Sequence, residues 1–156
     1  QEIIMKAVVQ RVKYASVKTR EYPEVSIAAG LLVLLAFRKD DTEKDIRYII
    51  EKLLALRIFE DSAGKMNLSV SDINGEILIV PQFTLYGNCL RGNRPDFLES
   101  ADYQTGAKLF EELKNFCLTN NYKNIEFGFF REFMEVKLLN NGPVTLIIET
   151  SEKIKR

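Results

Sequence analysis

Two short segments carry residue types and spacings that could do chemistry. Pro81-Gln82-Phe83-Thr84-Leu85-Tyr86 follows directly on an apolar stretch, Glu76–Val80. Gln82 offers both a donor and an acceptor, and Thr84 a hydroxyl two residues on, so an extended chain puts them on one side. Threonine is equally an ordinary strand residue, and Thr84 becomes a nucleophile only if another group takes its proton. The second segment is Asn140-Asn141-Gly142-Pro143-Val144-Thr145, which reads most simply as a turn between two strands. Its Gly-Pro pair leaves backbone carbonyls uncovered by bulky side chains, where they can be aimed at a ligand. X–Pro bonds also populate cis far more readily than others.

The rest of the composition narrows that chemistry. None of the 156 residues is histidine, which removes Ser-His-Asp and Cys-His catalysis, His acid–base chemistry and every His-containing metal site. The two cysteines, Cys89 and Cys117, are too few for a Cys₄ site and spaced unlike a zinc motif. Cys117 falls on the apolar stripe of an expected helix, while Cys89 sits in a polar loop from Gly87 to Pro95 that also carries Arg91 and Arg94. Lys plus Arg and Asp plus Glu are 22 each, so the chain is not a bulk-electrostatic nucleic-acid binder. With 46% hydrophobic and 28% charged residues it has the balance of a globular domain rather than a disordered one. No run approaches a membrane span. Met5 reads as a natural start, with residues 1–4 an appended remnant, and no signal peptide precedes it, which points to the cytoplasm.

Positioning those segments requires elements that the hydrophobic pattern supplies. Lys6–Val12 and Ser16–Thr19 read as strands, with Tyr22–Ile27 pairing after a turn. Leu31–Phe37 is a continuous apolar run of strand length, which predicts burial on both faces. Thr42 and Asp45 resemble a capping box opening a helix over Glu43–Arg57, with Ile46, Ile49, Ile50, Leu53, Leu54 and Leu56 on one broad face. A second helix is expected over about Tyr103–Leu118, with Leu109, Leu113, Phe116 and Cys117 inward. Ile125–Phe130, Phe133–Leu139 and Val144–Glu149 read as a closing β meander. The order predicts one layered α/β domain with two main helices.

Taken together and in this order, the motifs closely resemble the D-aminoacyl-tRNA deacylases, from Met5 to about Thr150. The matching stretches are Val9-Gln10-Arg11-Val12, Ala15-Ser16-Val17, Gly30–Leu35, Leu56–Asp61 and Gly64–Ser69. Gln82–Tyr86, Gly92–Phe97, Met134-Glu135-Val136 and Asn141–Thr145 complete them. The resemblance implies a β-barrel-like sheet pair, a homodimer, and a domain over 5–150 followed by a short tail at 151–156. It implies neither metal nor cofactor. The expected reaction is hydrolysis of the ester joining a D-amino acid to the 3′-terminal adenosine of tRNA, and of glycine mischarged onto tRNA for alanine.

Residue by residue, the resemblance makes Gln82, Phe83 and Thr84 a catalytic wall, and Gly142-Pro143 a cis motif inserted into the partner subunit's site. There its carbonyls hold the substrate's amino group, so that an L side chain meets backbone and a D side chain points outward. Arg11 is implied to donate to the carbonyls that hold this turn. Thr84 as nucleophile competes with activation of water by the adenosine's own 2′-hydroxyl, and the second is favoured because no base is in view for Thr84. Pro81 departs from the serine usual in the family and matches the proline of a related animal group, so an altered substrate range is one alternative. A non-catalytic dimeric module binding RNA ends is another, since stacking and shape recognise a single-stranded terminus without net charge.

Overall fold

The computed structural model describes residues 3–151. The rest of the two expected flanking segments, residues 1–2 and 152–156, lies outside the described residues. Strand β1 (Ile3–Lys18) is the spine of a sheet that also contains β2 (Val25–Ile27), β3 (Gly30–Ala36), β6 (Glu76–Pro81) and β7 (Ile125–Phe127), in the order β2-β1-β3-β6-β7. Helix α1 (Glu43–Ala55) and a small β4–β5 pair (Phe59–Glu60 and Met66–Leu68) connect β3 to β6. Helix α2 (Tyr103–Thr119) connects β6 to β7. Both connections join parallel strands, β3 with β6 and β6 with β7. The final strand, β8 (Glu135–Ser151), runs antiparallel along β1 and bends the sheet toward a barrel. This is a mixed α/β fold with two helices, as the sequence pattern predicts.

The apolar run of β3 is buried on both faces. Leu31, Val33 and Leu35 pack with Ile77 and Ile79 against the helices, while Leu32 packs with Leu78 and Val80 on the opposite side with Val12, Ala15 and Val17. Helix α1 contributes Ile46, Ile49, Ile50 and Leu53, and its first turn is closed by the Thr42 N–H donating to the Asp45 carboxylate at 2.9 Å. Helix α2 contributes Leu109, Leu113, Phe116 and Cys117. Burial pushes the Cys117 thiol up to about 12, so it packs as a small inert hydrophobe. Cys89 is exposed. Among the described residues no helix is long and apolar enough to cross a membrane.

Several boundaries differ from the sequence reading. Lys6–Val12 and Ser16–Thr19 are one strand, because β8 pairs with both parts and register shifts beside Val12 absorb the irregularity. Among the described residues the expected closing meander does not form: β7 pairs with β6, whereas β8 crosses to β1. Asn140–Pro143 is correspondingly not a turn between two strands but a protrusion within β8. Between the pairs Gln10↔Thr145 and Val12↔Asn140, β1 has only Arg11 while β8 has Asn141, Gly142, Pro143 and Val144. Four residues standing opposite one must bulge out of the ladder.

Candidate active site

The three parallel strands β3, β6 and β7 deliver their carboxyl ends to one place, where open α/β sheets offer their binding crevices. A cavity of about 450 Å³ lies there. Leu35 and Ala36 from the end of β3, with Val80 and Pro81 from the end of β6, form its inner surface. Gln82 and Phe83 make one wall; Phe130, Arg131, Phe133 and Met134 make the other.

The first wall is built by the end of β6. The Gln82 N–H still donates to the Leu35 carbonyl at 2.8 Å, extending the parallel ladder by one bond. Beyond it the chain tightens into a 3₁₀ turn, Phe83–Tyr86, closed by the Gly87 N–H on the Thr84 carbonyl at 2.9 Å. The chain is therefore not extended here, the condition under which the sequence reading put Gln82 and Thr84 on one side. They are joined instead across the turn, with the Gln82 Nε2 donating to the Thr84 hydroxyl oxygen. Tyr86 anchors the turn: its ring is buried, and burial, followed by the charge of Asp41, raises its phenol well above the usual range. Phe83 and Thr84 remain exposed, and Phe83 meets Phe97 edge-on at 5.2 Å.

The second wall was missed by sequence reasoning. Phe129–Met134 is a loop, not the continuation of strands, and its Phe130 seats against Gly106 in α2. A Cβ on Gly106 would come 2.8 Å from the Phe130 ring. A glycine inside a helix is costly, and Gly106 is the one sequence signal that something packs closely there.

Gly142 and Pro143 do not line this cavity; both are exposed on the β8 protrusion, and the bond between them is cis. Arg11 lies beneath them. It is 5% exposed, donating from Nε to the Asn141 carbonyl and from Nη1 to the Ile58 carbonyl, each at 2.7 Å. One guanidinium thus ties the protrusion to the segment after α1. Arg11→Ala is expected to lower the unfolding free energy by about 2–4 kcal/mol, because the buried Ile58 carbonyl and the partly buried Asn141 bond lose a charged donor. Arg11→Lys should recover only part of it, since a single ammonium cannot reproduce the planar fork. Urea titration reads both, and an alanine variant within about 0.5 kcal/mol of wild type would show that the ties are idle. Among the described residues no group of three or more Cys, Asp or Glu side chains is arranged to hold a metal ion.

Thr84 is not among the residues lining the cavity and reaches it only through its bond to Gln82, which is. A pocket at the carboxyl ends of parallel strands, walled by aromatic rings and edged by an amide and a guanidinium, defines an enzyme-like binding site. The model of the D-Tyr-tRNA(Tyr) deacylase family matches residues 8–149. The chain is 51% identical over 148 residues to the D-aminoacyl-tRNA deacylase of Thermosipho africanus, covering 95% of this chain and 99% of that one. It is 49% identical over the same length to the enzyme of that name from Thermotoga petrophila, with the same coverage. A solved structure of a protein named c-Myc DNA Unwinding Element Binding Protein superposes with a TM-score of 0.84 at 38% identity, covering 94% of this chain and 99% of that one. The chain belongs to the D-Tyr-tRNA(Tyr) deacylase family, a family of hydrolases.

Proposed function

We propose that this chain hydrolyses the ester of D-aminoacyl-tRNA in the cytoplasm, releasing the D-amino acid and free tRNA, and that it also clears glycine mischarged onto tRNA for alanine. Water adds to the ester carbonyl, the bond to the ribose oxygen breaks, and that oxygen takes the proton. The family match over nearly the whole chain carries this reading. The cavity adds support, since about 450 Å³ is within the range of pockets for a ligand the size of an aminoacyl nucleoside. In this reading Gln82, Phe83 and Thr84 face the ester, and the Gly142-Pro143 carbonyls of a second copy hold the amino group so that an L side chain collides with backbone. The deciding measurement is deacylation of matched D- and L-tyrosyl-tRNA with glycyl-tRNA as a third substrate. Equal rates on D and L would overturn the chiral reading, and no turnover of any would overturn the enzymatic one. Pro81 sits at the end of β6 on the inner surface, so the glycyl rate also tests whether the substrate range is altered.

The second copy is supported by β8. Among the described residues it pairs only with β1, and it exposes Leu139, Leu146 and Ile147, the last at 66%. An apolar strand edge of this length invites pairing with another chain, and a twofold dimer satisfies it. Ile147→Glu is expected to yield a folded monomer with activity down by about 100-fold or more, because neither protrusion then reaches the other pocket. Sedimentation with a parallel rate assay checks it; a fully active monomer would exclude the cross-subunit arrangement. The name of the structural relative, a DNA-element binding protein, is compatible with a second reading in which this chain binds nucleic acid without catalysis, for which the same assay shows affinity without deacylation.

A further inference from the structure

Arg131 is the cation of the pocket's second wall. It stands on the Phe129–Met134 loop at a φ of +60°, a left-handed conformation uncommon for a residue with a long side chain. Its guanidinium carbon lies over the Phe83 ring at 4.8 Å from the centroid and over the Tyr103 ring at 5.5 Å. The two rings come from different elements, the 3₁₀ turn after β6 and the first turn of α2, so the arginine bridges the two; Phe83 and Arg131 both line the cavity and are both exposed, which puts the guanidinium on its open side. Arg131 is exposed, and among the described residues no carboxylate is ion-paired with it. A guanidinium packed on ring faces is fixed in place, yet its in-plane N–H groups stay able to donate, and that fork matches the oxygens of a phosphate.

We propose that Arg131 is a substrate-binding residue that donates to the phosphodiester immediately 5′ of the terminal nucleoside. This rests on the deacylase reading above. If the nucleoside enters the cavity with its ester toward Gln82–Thr84, the chain on its 5′ side leaves through the mouth, where Arg131 is held. A chain with equal numbers of acidic and basic residues has no bulk field to draw in a polyanion, so a phosphate must be held by a local, pre-oriented cation.

The test compares three substrates that grow on the 5′ side, the first lacking the phosphodiester in question: D-tyrosyl-adenosine, the D-tyrosyl ester of a cytidylyl-adenosine dinucleotide, and D-tyrosyl-tRNA. Arg131→Ala is expected to raise KM for the dinucleotide and the tRNA about 10-fold more than it raises KM for D-tyrosyl-adenosine. The salt dependence of log KM for tRNA should lose a slope of about 0.7, one single-strand phosphate contact. Arg131→Lys keeps the charge and should restore most of that slope. An equal loss on all three substrates would mean that Arg131 only shapes Phe83, and no loss on any would leave it without a role; either result overturns the proposal. A wild-type enzyme inactive on every substrate would instead bring down the deacylase reading, and this proposal with it.

Discussion

Replacing Gly142 with alanine is expected to cut turnover of D-tyrosyl-tRNA and glycyl-tRNA alike, by about 100-fold or more, while the chain still folds and dimerises. The reason is local crowding. A Cβ at this position would come 2.8 Å from the Val144 backbone nitrogen and its Cγ2, and 3.2 Å from Arg11 Nη2. The residue sits at a φ of +153°, which side-chain-bearing residues rarely adopt. None of those neighbours yields easily. Val144 is buried and its N–H donates to the Asn140 side chain at 2.8 Å, while Arg11 is held by two carbonyls. The protrusion itself must therefore move, and its carbonyls with it. Because the protrusion is exposed, the cost to global stability should stay near about 1 kcal/mol. Single-turnover rates on both substrates, with sedimentation and melting as controls, check the expectation. A folded dimeric variant that keeps wild-type rates would mean that the carbonyls beside Gly142 do not hold the substrate.

How far such a site is legible in the amino-acid sequence depends on the range of the interactions that make it. Helices α1 and α2 follow from local periodicity, and the double burial of β3 from its unbroken apolar run. Arg11 carries a local signal as well. Ala7, Val9 and Arg11 alternate onto one face of β1, the first two fully buried, so a charge at the third position must find partners inside. The pairing of β8 with β1 has no such signal, because it joins residues more than a hundred positions apart. Without it the Gly142-Pro143 protrusion looks like an ordinary turn.

The geometry of Gln82 and Thr84 turns on a condition that the sequence leaves open. Two-residue alternation holds only while the ladder continues, and the ladder ends with the Gln82 bond to Leu35. After that point the chain satisfies itself by turning. The second wall of the pocket stayed hidden because Phe129, Phe130 and Phe133 are apolar residues between two strands, and composition alone extends the strands through them. Only Phe130 meets a helix interior, betrayed by a single glycine, Gly106, while Phe129 stacks on Tyr22 at 4.7 Å and Phe133 stays exposed.

The remaining question is which group activates water, and the geometry sharpens it into a pair of measurements. Thr84 lies in a 3₁₀ turn with its hydroxyl oxygen accepting from the Gln82 amide. An amide cannot take a proton, and the chain has no histidine, so this hydroxyl lacks the base that nucleophilic catalysis requires. Glu132 lines the cavity from the opposite wall and, among the described residues, is the one carboxylate there to be tested as a substitute. If instead the 2′-hydroxyl of the terminal adenosine orients and activates the water, Thr84→Ala should keep its rate within about 10-fold of wild type, and Glu132→Gln likewise. Replacing the terminal adenosine by its 2′-deoxy form should then slow the wild-type enzyme by about 100-fold or more. The two results must appear together. A loss of about 10⁴-fold or more in a normally folded Thr84→Ala variant, with the 2′-deoxy substrate still turned over well, is the signature of a lost nucleophile and would return Thr84 to the centre of the reaction. A large loss with Glu132→Gln alone would identify the general base as a protein carboxylate. Only the combination of a tolerant Thr84, a tolerant Glu132 and an intolerant ribose places the activating group on the substrate, with the protein's task reduced to holding the ester and excluding the wrong hand.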